Sequence, residues 1–249
     1  MELERWGSGP RVYLGLHGWG GNRTTFEPLR VRLPPDVTFW SADLPGYGVS
    51  PRPEAFTEAA VVDDIVAAVR RVSEESGARP TLVGNCLGAI LALSTARRIE
   101  RELAGLVGID AFPFLPWYFS LFTRGSFGRR AYFATFASAL GRRLTNQALA
   151  ARRTEDADLT ASFARVDHDV TLAYLHIMRA IGGAEHFAGL GLPVTLLHGE
   201  RTFGAVRSGG ERWRRALPQV RTVALAGAGH LPLQEAPDAV AAVVFGEDR

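Results

Sequence analysis

A five-residue run, Gly84-Asn85-Cys86-Leu87-Gly88, most restricts the folds that this sequence can adopt. It follows Thr81–Val83, an apolar run that predicts a buried strand, and it precedes Ala89–Leu93, which predicts a buried helix. A strand that turns directly into a helix leaves little room at the turn. Glycines on both sides let the strand and the helix approach without a side-chain clash, and the central residue is held on a strained backbone.

The residue at the centre of this turn is Cys86, the only cysteine of the chain. A strand, a tight turn and a helix in this order form a nucleophile elbow, whose central residue is normally serine. A thiol at a helix N-terminus is favoured as thiolate by the helix dipole, so cysteine would change the chemistry of such a turn without disabling it. The alternative interpretation is a small buried cysteine in an ordinary strand-to-helix turn.

Short apolar runs alternate with segments of helical periodicity along most of the 249 residues. This alternation predicts the α/β class, with a mostly parallel sheet covered by helices on both faces. The predicted strands are Val12–Leu16, Val37–Ser41, Thr81–Val83, Leu106–Ile109, Val194–Leu197 and Val220–Leu225. The predicted helices outside the elbow are Thr25–Leu33, Glu58–Glu75, Glu211–Leu217 and Pro237–Phe245.

The alternation breaks over residues 112–189, which have helical periodicity and no convincing strand. We therefore expect a core made of residues 1–111 and 190–249, with residues 112–189 inserted as a helical cap. Ligands of open parallel sheets bind at the carboxyl ends of the strands, so a site is expected at that edge, under the cap.

Composition narrows the class of protein further. The start of the chain, Met1–Glu4, has no basic stretch followed by an apolar one, and no window reaches about 18 uninterrupted apolar residues. We expect no signal peptide and no membrane span, and we expect the protein to reside in the reducing cytoplasm. The net charge of +2 is too small to indicate nucleic-acid binding. Three histidines of the expected cap, His168, His176 and His186, lack ligand spacing, so we expect no metal and no cofactor.

Four motifs follow one another in register. The run His17–Gly21 reads HGWGG, Asp43–Ser50 reads DLPGYGVS, the elbow comes third, and Gly227–Pro232 reads GAGHLP. In this order and spacing they resemble the α/β-hydrolase family over essentially the whole chain. Within that family the HGWG and DLPGYG segments are most similar to the pimeloyl-ACP methyl ester carboxylesterases.

The resemblance implies a role for each matching residue. Cys86 would attack an acyl carbon, and His230 would accept its proton and later deliver one to the leaving group or to water. The oxyanion hole would consist of the main-chain N–H groups of Trp19 and Leu87. Two polar residues of the loops are interpreted as structural, His17 and Asp43.

The family pattern breaks at the acid of the triad. Where Gly-x-x-Asp is expected, the chain has Gly199–Thr202, and Thr202 cannot carry the charge. Some members of the fold carry the acid after the preceding core strand, where this chain has Asp110. A buried carboxylate there would need a partner, and histidine would supply one. Asp110 is favoured, with Glu200 or no acid at all as the alternatives.

The expected cap has an unusual composition. Residues 112–136 contain ten aromatic side chains, which favours an apolar pocket above the nucleophile. We expect its wall to include Phe112, Phe114, Trp117 and Tyr118. Residues 111–153 contain seven arginines and neither Asp nor Glu. We interpret five of them as a docking surface for an anionic carrier of the acyl group, acyl carrier protein or coenzyme A: Arg124, Arg129, Arg130, Arg142 and Arg143. Contact with a membrane surface, which we disfavour, and no specific partner are the alternatives.

These features favour a cysteine-nucleophile enzyme that processes acyl thioesters or esters through an acyl-Cys86 intermediate. It would be a thioesterase, or an acyltransferase or cyclase, acting on a bulky apolar acyl group. One alternative is a carboxylesterase of the pimeloyl-ACP methyl ester type. The other is a non-catalytic binding protein that has kept the α/β-hydrolase fold, for which Thr202 is the best evidence.

Overall fold

The computed structural model describes residues 1–246 of the chain. Seven strands form one sheet: Glu2–Gly7 (β1), Arg11–Leu16 (β2), Val37–Asp43 (β3), Thr81–Asn85 (β4), Gly105–Ile109 (β5), Val194–Gly199 (β6) and Arg221–Leu225 (β7). Their order across the sheet is β1-β3-β2-β4-β5-β6-β7. Strand β1 is antiparallel to β3, and the other neighbouring strands are parallel. The mostly parallel sheet predicted from the sequence is therefore confirmed.

Helices fill the connections between the strands. The α-helices are Glu27–Arg30 (α1), Glu58–Ser76 (α2), Leu87–Ile99 (α3), Trp117–Ser120 (α4), Gly125–Tyr132 (α5), Ala139–Ala148 (α6), His168–Ile181 (α7), Gly204–Arg207 (α8), Gly210–Ala216 (α9), Pro232–Glu235 (α10) and Pro237–Phe245 (α11). Shorter 3-10 helices are Arg23–Phe26, Glu100–Glu102, Leu121–Thr123, Ala150–Arg152, Ala161–Ala164 and Ala184–Phe187, and Phe133–Ala137 is a π-helix. None of the helices in residues 1–246 is both long enough and apolar enough to cross a membrane.

Both faces of the sheet are covered, because successive side chains of a strand point to opposite faces. Leu82 packs in a cluster with residues of α2, α3 and α7, whereas Val83 packs in a second cluster with residues of α1 and α11. Helices therefore enclose the sheet from two sides, as the alternation of strands and helices predicts.

Two local predictions differ from the structure. The predicted helix Thr25–Leu33 is too long, because the chain is helical only as far as Arg30, first as a 3-10 turn and then as the four-residue α1. Leu33 precedes Pro34 and Pro35, and proline both lacks an N–H and disfavours helical backbone in the residue before it. Strand β1 was not predicted, because it lies at the edge of the sheet and buries only Trp6.

Residues 112–189, which we call the helical segment, contain helices α4 to α7 and no strand in the part of the chain that the structure describes. The segment connects β5 to β6, which are neighbours in the sheet. The carboxyl ends of the parallel strands lie at one edge, and the residues that follow β2, β4, β5, β6 and β7 carry the candidate chemistry.

Candidate active site

Cys86 forms the turn between β4 and α3, with φ 51° and ψ −109°. Such a backbone costs a non-glycine residue about 1–3 kcal/mol and is found at functional turns. A Cβ on Gly84 would lie 2.3 Å from Ala89 Cα, and a Cβ on Gly88 would lie 2.0 Å from the Leu16 carbonyl oxygen. Both positions therefore require glycine, and the turn leaves the Cys86 side chain partly exposed.

Asp110 follows β5 and is fully buried, with a φ of 50°. Its Oδ1 accepts a hydrogen bond from the Gly199 N–H at 3.1 Å, and its Oδ2 accepts one from the Thr202 hydroxyl at 2.8 Å. The same Oδ2 lies 2.8 Å from His230 Nδ1. Because a carboxylate can only accept, Nδ1 of His230 carries the hydrogen. Three donors thus stabilise a carboxylate that would be costly to bury alone.

His230 lies between Asp110 and Cys86: its Nδ1 is 2.8 Å from Asp110 Oδ2, and both side chains influence its pKa. Burial alone lowers the pKa of His230, but the hydrogen bonds to Asp110 and to Cys86 outweigh it and raise the pKa to about 10. The ring also packs edge-on against Phe203 and Phe112, at centroid distances of 4.6 and 5.6 Å. The imidazole is therefore charged at neutral pH and lies next to the sulfur. This arrangement can hold a thiolate–imidazolium pair.

The other two residues considered for the acid lie differently. Thr202 is fully buried, and its Oγ1 is 3.0 Å from His230 Nδ1 while donating to Asp110. It therefore occupies the place next to the imidazole without carrying charge. Glu200 is exposed, and its Oε2 accepts from the Gly227 N–H at 3.1 Å. The hydrogen bond from Thr202 to Asp110 was not predicted from the sequence. The hydroxyl residue at the position expected for the acid was a signal that could have indicated it.

Two main-chain donors lie in or beside the turn that carries Cys86. Within residues 1–246, the N–H groups of Trp19 and Leu87 donate to no protein acceptor, so both remain available to a ligand oxygen. The loop that carries Trp19 packs closely on the elbow, because a Cβ on Gly18 would lie 2.9 Å from Asn85 Nδ2 and 3.3 Å from Cys86 Cβ. These donors have the character of an oxyanion hole.

His17 and Asp43 are fully buried and engaged by the loops around them. The Leu44 N–H donates to His17 Nε2 at 3.1 Å, His17 Nδ1 lies 2.8 Å from the Gly18 carbonyl oxygen, and burial lowers the pKa of His17 to about 4. Asp43 accepts from the main chain and guanidinium of Arg23. These hydrogen bonds tie both residues to the loops and to neither Cys86 nor His230. No group of His, Cys, Asp and Glu in residues 1–246 is arranged to hold a metal ion.

A cavity of about 390 Å³ opens above Cys86 and His230. Six aromatic residues line it: Trp19, Phe112, Phe119, Phe136, Phe163 and Phe203. Polar residues also line it, among them Thr25, Asp156, Asp158, Thr160 and Ser162. Core and helical segment both contribute, so the cavity lies between them.

Of the four predicted wall residues, the structure brings only Phe112 to the cavity. Trp117 is 76% exposed on the one-turn helix α4, whose neighbouring residues cannot all face inward. Phe114 stacks under the Arg212 guanidinium at 4.8 Å. Tyr118 packs behind the wall, against Phe119 at 4.9 Å. Phe163 and Phe203 were missed because they come from separate parts of the chain.

The five arginines predicted to dock a carrier fall into two groups. Arg129 pairs with Asp169 at 2.7 Å and stacks on Phe133, and Arg142 donates to the carbonyl oxygens of Phe136 and Ala137. The remaining three are exposed and take part in none of the ion pairs found in residues 1–246: Arg124, Arg130 and Arg143.

Comparison with known proteins agrees with this architecture. The sequence model of the alpha/beta hydrolase family matches residues 14–243, and the chain belongs to that family. Among curated relatives, it is 34% identical over 116 residues to 2-(acetamidomethylene)succinate hydrolase of Mesorhizobium japonicum, which is 46% of this chain and 40% of that protein. It is 35% identical over 96 residues to the pimeloyl-[acyl-carrier protein] methyl ester esterase of Neisseria meningitidis serogroup B, which is 39% of this chain and 34% of that protein. The chain thus spans well under half the length of these relatives.

Solved structures extend the likeness to the whole described fold. A thermophilic esterase from Thermogutta terrifontis superposes with a TM-score of 0.78 at 23% identity, covering 98% of this chain and 91% of that one. E-2-(acetamidomethylene)succinate hydrolase superposes with a TM-score of 0.76 at 21% identity, covering 98% and 92%. At these identities the likeness shows the fold alone.

Proposed function

We propose that the chain is an enzyme that transfers or hydrolyses an acyl group through a thioester on Cys86. The observation that carries the proposal is a cysteine on a strained elbow that lines, together with His230 of the His230–Asp110 pair, a cavity walled in part by aromatic side chains. Residues 112–189 act as the cap of this site, over a core of residues 1–111 and 190–249, of which residues 247–249 lie outside the described residues. The hydrolase and esterase relatives support an acyl substrate of ester type.

The chemistry proceeds in two balanced steps. The Cys86 sulfur forms a bond to the acyl carbon, and the carbonyl electron pair moves onto the oxygen, where the N–H groups of Trp19 and Leu87 stabilise it. When this tetrahedral intermediate breaks down, the bond between the acyl carbon and the leaving sulfur or oxygen is broken, and the leaving atom takes the proton from His230. Water or another acceptor then attacks the acyl-Cys86 carbon and gives its proton to His230. Asp110 holds the imidazole in the required orientation throughout.

Cysteine as the nucleophile favours a thioester donor. An acyl-cysteine enzyme and a thioester donor have nearly the same free energy, so transfer between them is readily reversible. The acyl group is expected to be bulky and largely apolar, since Phe112, Phe119 and Phe136 line the cavity beside Cys86.

The intermediate is tested by intact-protein mass after mixing with a panel of acyl thioesters. We expect a mass increase equal to the acyl group, minus one hydrogen, on the native chain and none on Cys86→Ala. A lasting adduct with little free acid indicates an acyltransferase or cyclase, whereas rapid release of free acid indicates a thioesterase. Turnover that proceeds equally well in Cys86→Ala would refute the mechanism.

A carboxylesterase is the second candidate, and the match to a pimeloyl-[acyl-carrier protein] methyl ester esterase favours it. The same panel discriminates the two candidates when methyl esters of matched acyl groups are included. A carboxylesterase would prefer the methyl esters, whereas the first proposal predicts a higher kcat/KM for the thioesters.

We further propose that the exposed arginines of the helical segment guide an anionic carrier, acyl carrier protein or coenzyme A, to the cavity. On α6, Arg143 lies beside Leu140 and Leu144, which are 67% and 56% exposed. Exposed apolar side chains beside a cation that is in no ion pair suit a partner that is both acidic and amphipathic. The absence of acidic residues from residues 111–153 adds to the positive field of this surface.

Reversing two of these charges tests the docking surface. The double variant Arg130→Glu/Arg143→Glu is expected to raise KM for a carrier-linked substrate about tenfold, equivalent to about 1.4 kcal/mol of lost attraction. KM for a small ester of the same acyl group should stay unchanged, because such an ester has no carrier to attract. Arg79→Glu/Arg101→Glu is the matched control, since both residues are exposed at the opposite edge of the sheet, before β4 and β5. Equal effects of the two double variants would contradict the proposal.

A further inference from the structure

One carboxylate, that of Glu235, holds two parts of the molecule together. Its Oε2 accepts from the Gly229 N–H at 2.6 Å and from the Leu231 N–H at 3.2 Å, the two residues that flank His230. Its Oε1 accepts from the Thr154 N–H at 2.7 Å, in the helical segment. Bonds from N–H groups to a charged acceptor are stronger than those to a neutral one. Glu235 thus connects the loop of His230 directly to the helical segment.

A second contact runs in parallel with the first. The His230 N–H donates to the Arg152 carbonyl oxygen at 2.8 Å. Gly229 lies so close to the helical segment that a Cβ there would be 2.3 Å from the Arg152 carbonyl oxygen. Residues 152–154 therefore support the main chain of His230 in two ways, directly through Arg152 and indirectly through the bond from Thr154 to Glu235.

Residues 152–154 adjoin residues that form the wall of the cavity. Leu149 and Asp156, on either side of residues 150–154, line it, and so do Leu231 and Gln234 of the histidine loop and α10. A displacement of this wall to admit a bulky acyl group would break the bonds that Glu235 and His230 make to Thr154 and Arg152. Part of the support for the main chain of His230 is therefore lost when the wall moves away.

We propose that Glu235 is a positioning residue that couples closure of the helical segment to the alignment of His230. The effect of Glu235 on acyl transfer rests on the function proposed above. Its effect on the order of the histidine loop does not, and can be measured without substrate. When the segment is seated, Glu235 orders the histidine loop through both neighbours of His230. When the segment lifts, the imidazole loses that support, so acyl transfer is confined to the closed state.

Glu235→Gln tests the coupling, because an amide has a single acceptor oxygen and cannot serve both Thr154 and the histidine loop. We expect kcat to fall about tenfold while KM changes little, the pattern of an interaction needed in the transition state. Amide hydrogen exchange should accelerate at Thr154 and at His230 together. Glu200→Gln is the matched control, since Glu200 accepts from Gly227 of the same loop and is not bonded to the helical segment. It should change neither exchange at Thr154 nor kcat.

A second variant guards against simple loss of folding. Thr154→Pro removes the N–H that donates to Glu235 and leaves the Glu235 side chain intact. Arg153 before it has the extended backbone, φ −145° and ψ 166°, that proline tolerates. It should accelerate exchange at His230 although Glu235 keeps its bonds to Gly229 and Leu231. Unchanged exchange at His230 in Thr154→Pro, or equal effects of Glu235→Gln and Glu200→Gln, would overturn the coupling. Amide exchange is measured without substrate and therefore tests the coupling alone. Failure of the proposed function would be recognised separately, by the absence of an acyl adduct on Cys86.

Discussion

Replacing Cys86 with alanine is expected to lower kcat/KM by at least about 10⁴-fold, the scale on which loss of a nucleophile affects triad enzymes. Alanine cannot form the bond to the acyl carbon, yet it retains the Cβ and so leaves the strain of the turn, at φ 51°, nearly unchanged. The thermal unfolding midpoint should therefore stay close to that of the native chain. The loss of rate would then report chemistry rather than folding.

The state of the thiol can be measured without any substrate. Iodoacetamide is expected to alkylate native Cys86 quickly near neutral pH, because the charged imidazole of His230 lies next to the sulfur. His230→Ala removes that charge and should slow alkylation strongly. Slow alkylation of both proteins, together with the absence of an acyl adduct, would identify a non-catalytic protein that has kept the fold.

Asp110→Asn is expected to lower kcat/KM by about 10³-fold, somewhat less than the corresponding change in a serine triad, because a thiolate–imidazolium pair depends less on the acid. Asparagine keeps the shape of the side chain but removes the charge beside His230 Nδ1, and its amide can present a donor where the ring needs an acceptor. Thr202→Val provides the comparison, since it deletes one hydroxyl of the same cluster without removing the carboxylate. We expect it to cost about tenfold, the scale of one hydrogen bond to a charged group. Comparable losses in the two variants would remove Asp110 from the role of the acid.

The pH dependence of His230 gives a second test of the same residue. In the native chain its pKa is raised to about 10, so the ring stays charged through neutral pH. In Asp110→Asn the titration followed by NMR should move down toward the ordinary value of about 6.5. Since the folded pKa lies above the unfolded one, the pair stabilises the fold fully below about pH 6.5 and loses that contribution as the pH rises toward 10. A titration that does not move would show that Asp110 does not hold the imidazolium.

The elbow shows what short-range sequence can determine. The steric reason for Gly84 acts between β4 and the helix that follows it, because a Cβ there would meet Ala89, whereas a Cβ on Gly88 would meet Leu16 of the neighbouring strand β2. The α/β fold and the mostly parallel sheet follow in the same way, from the alternation of apolar runs with helical periodicity. By contrast, the helix predicted over Thr25–Leu33 ends early at Arg30, ahead of two prolines. Strand β1 was missed because its pairing with β3, and not its local sequence, makes it a strand.

The candidate site shows where local reasoning ends. The sequence limited the acid to Asp110, Glu200 or none, and only the neighbouring positions of β5 and β6 in the sheet bring Asp110 to 2.8 Å from His230 while Thr202 completes its hydrogen bonds. The aromatic composition of residues 112–136 indicated a pocket, but which rings face the cavity depends on how each short helix is oriented against the core. Local sequence patterns and the order of the motifs therefore determined the fold class, the elbow and the candidate residues. Contacts between residues distant in sequence decided which of them meet, because side-chain proximity across a sheet edge is not encoded in local periodicity.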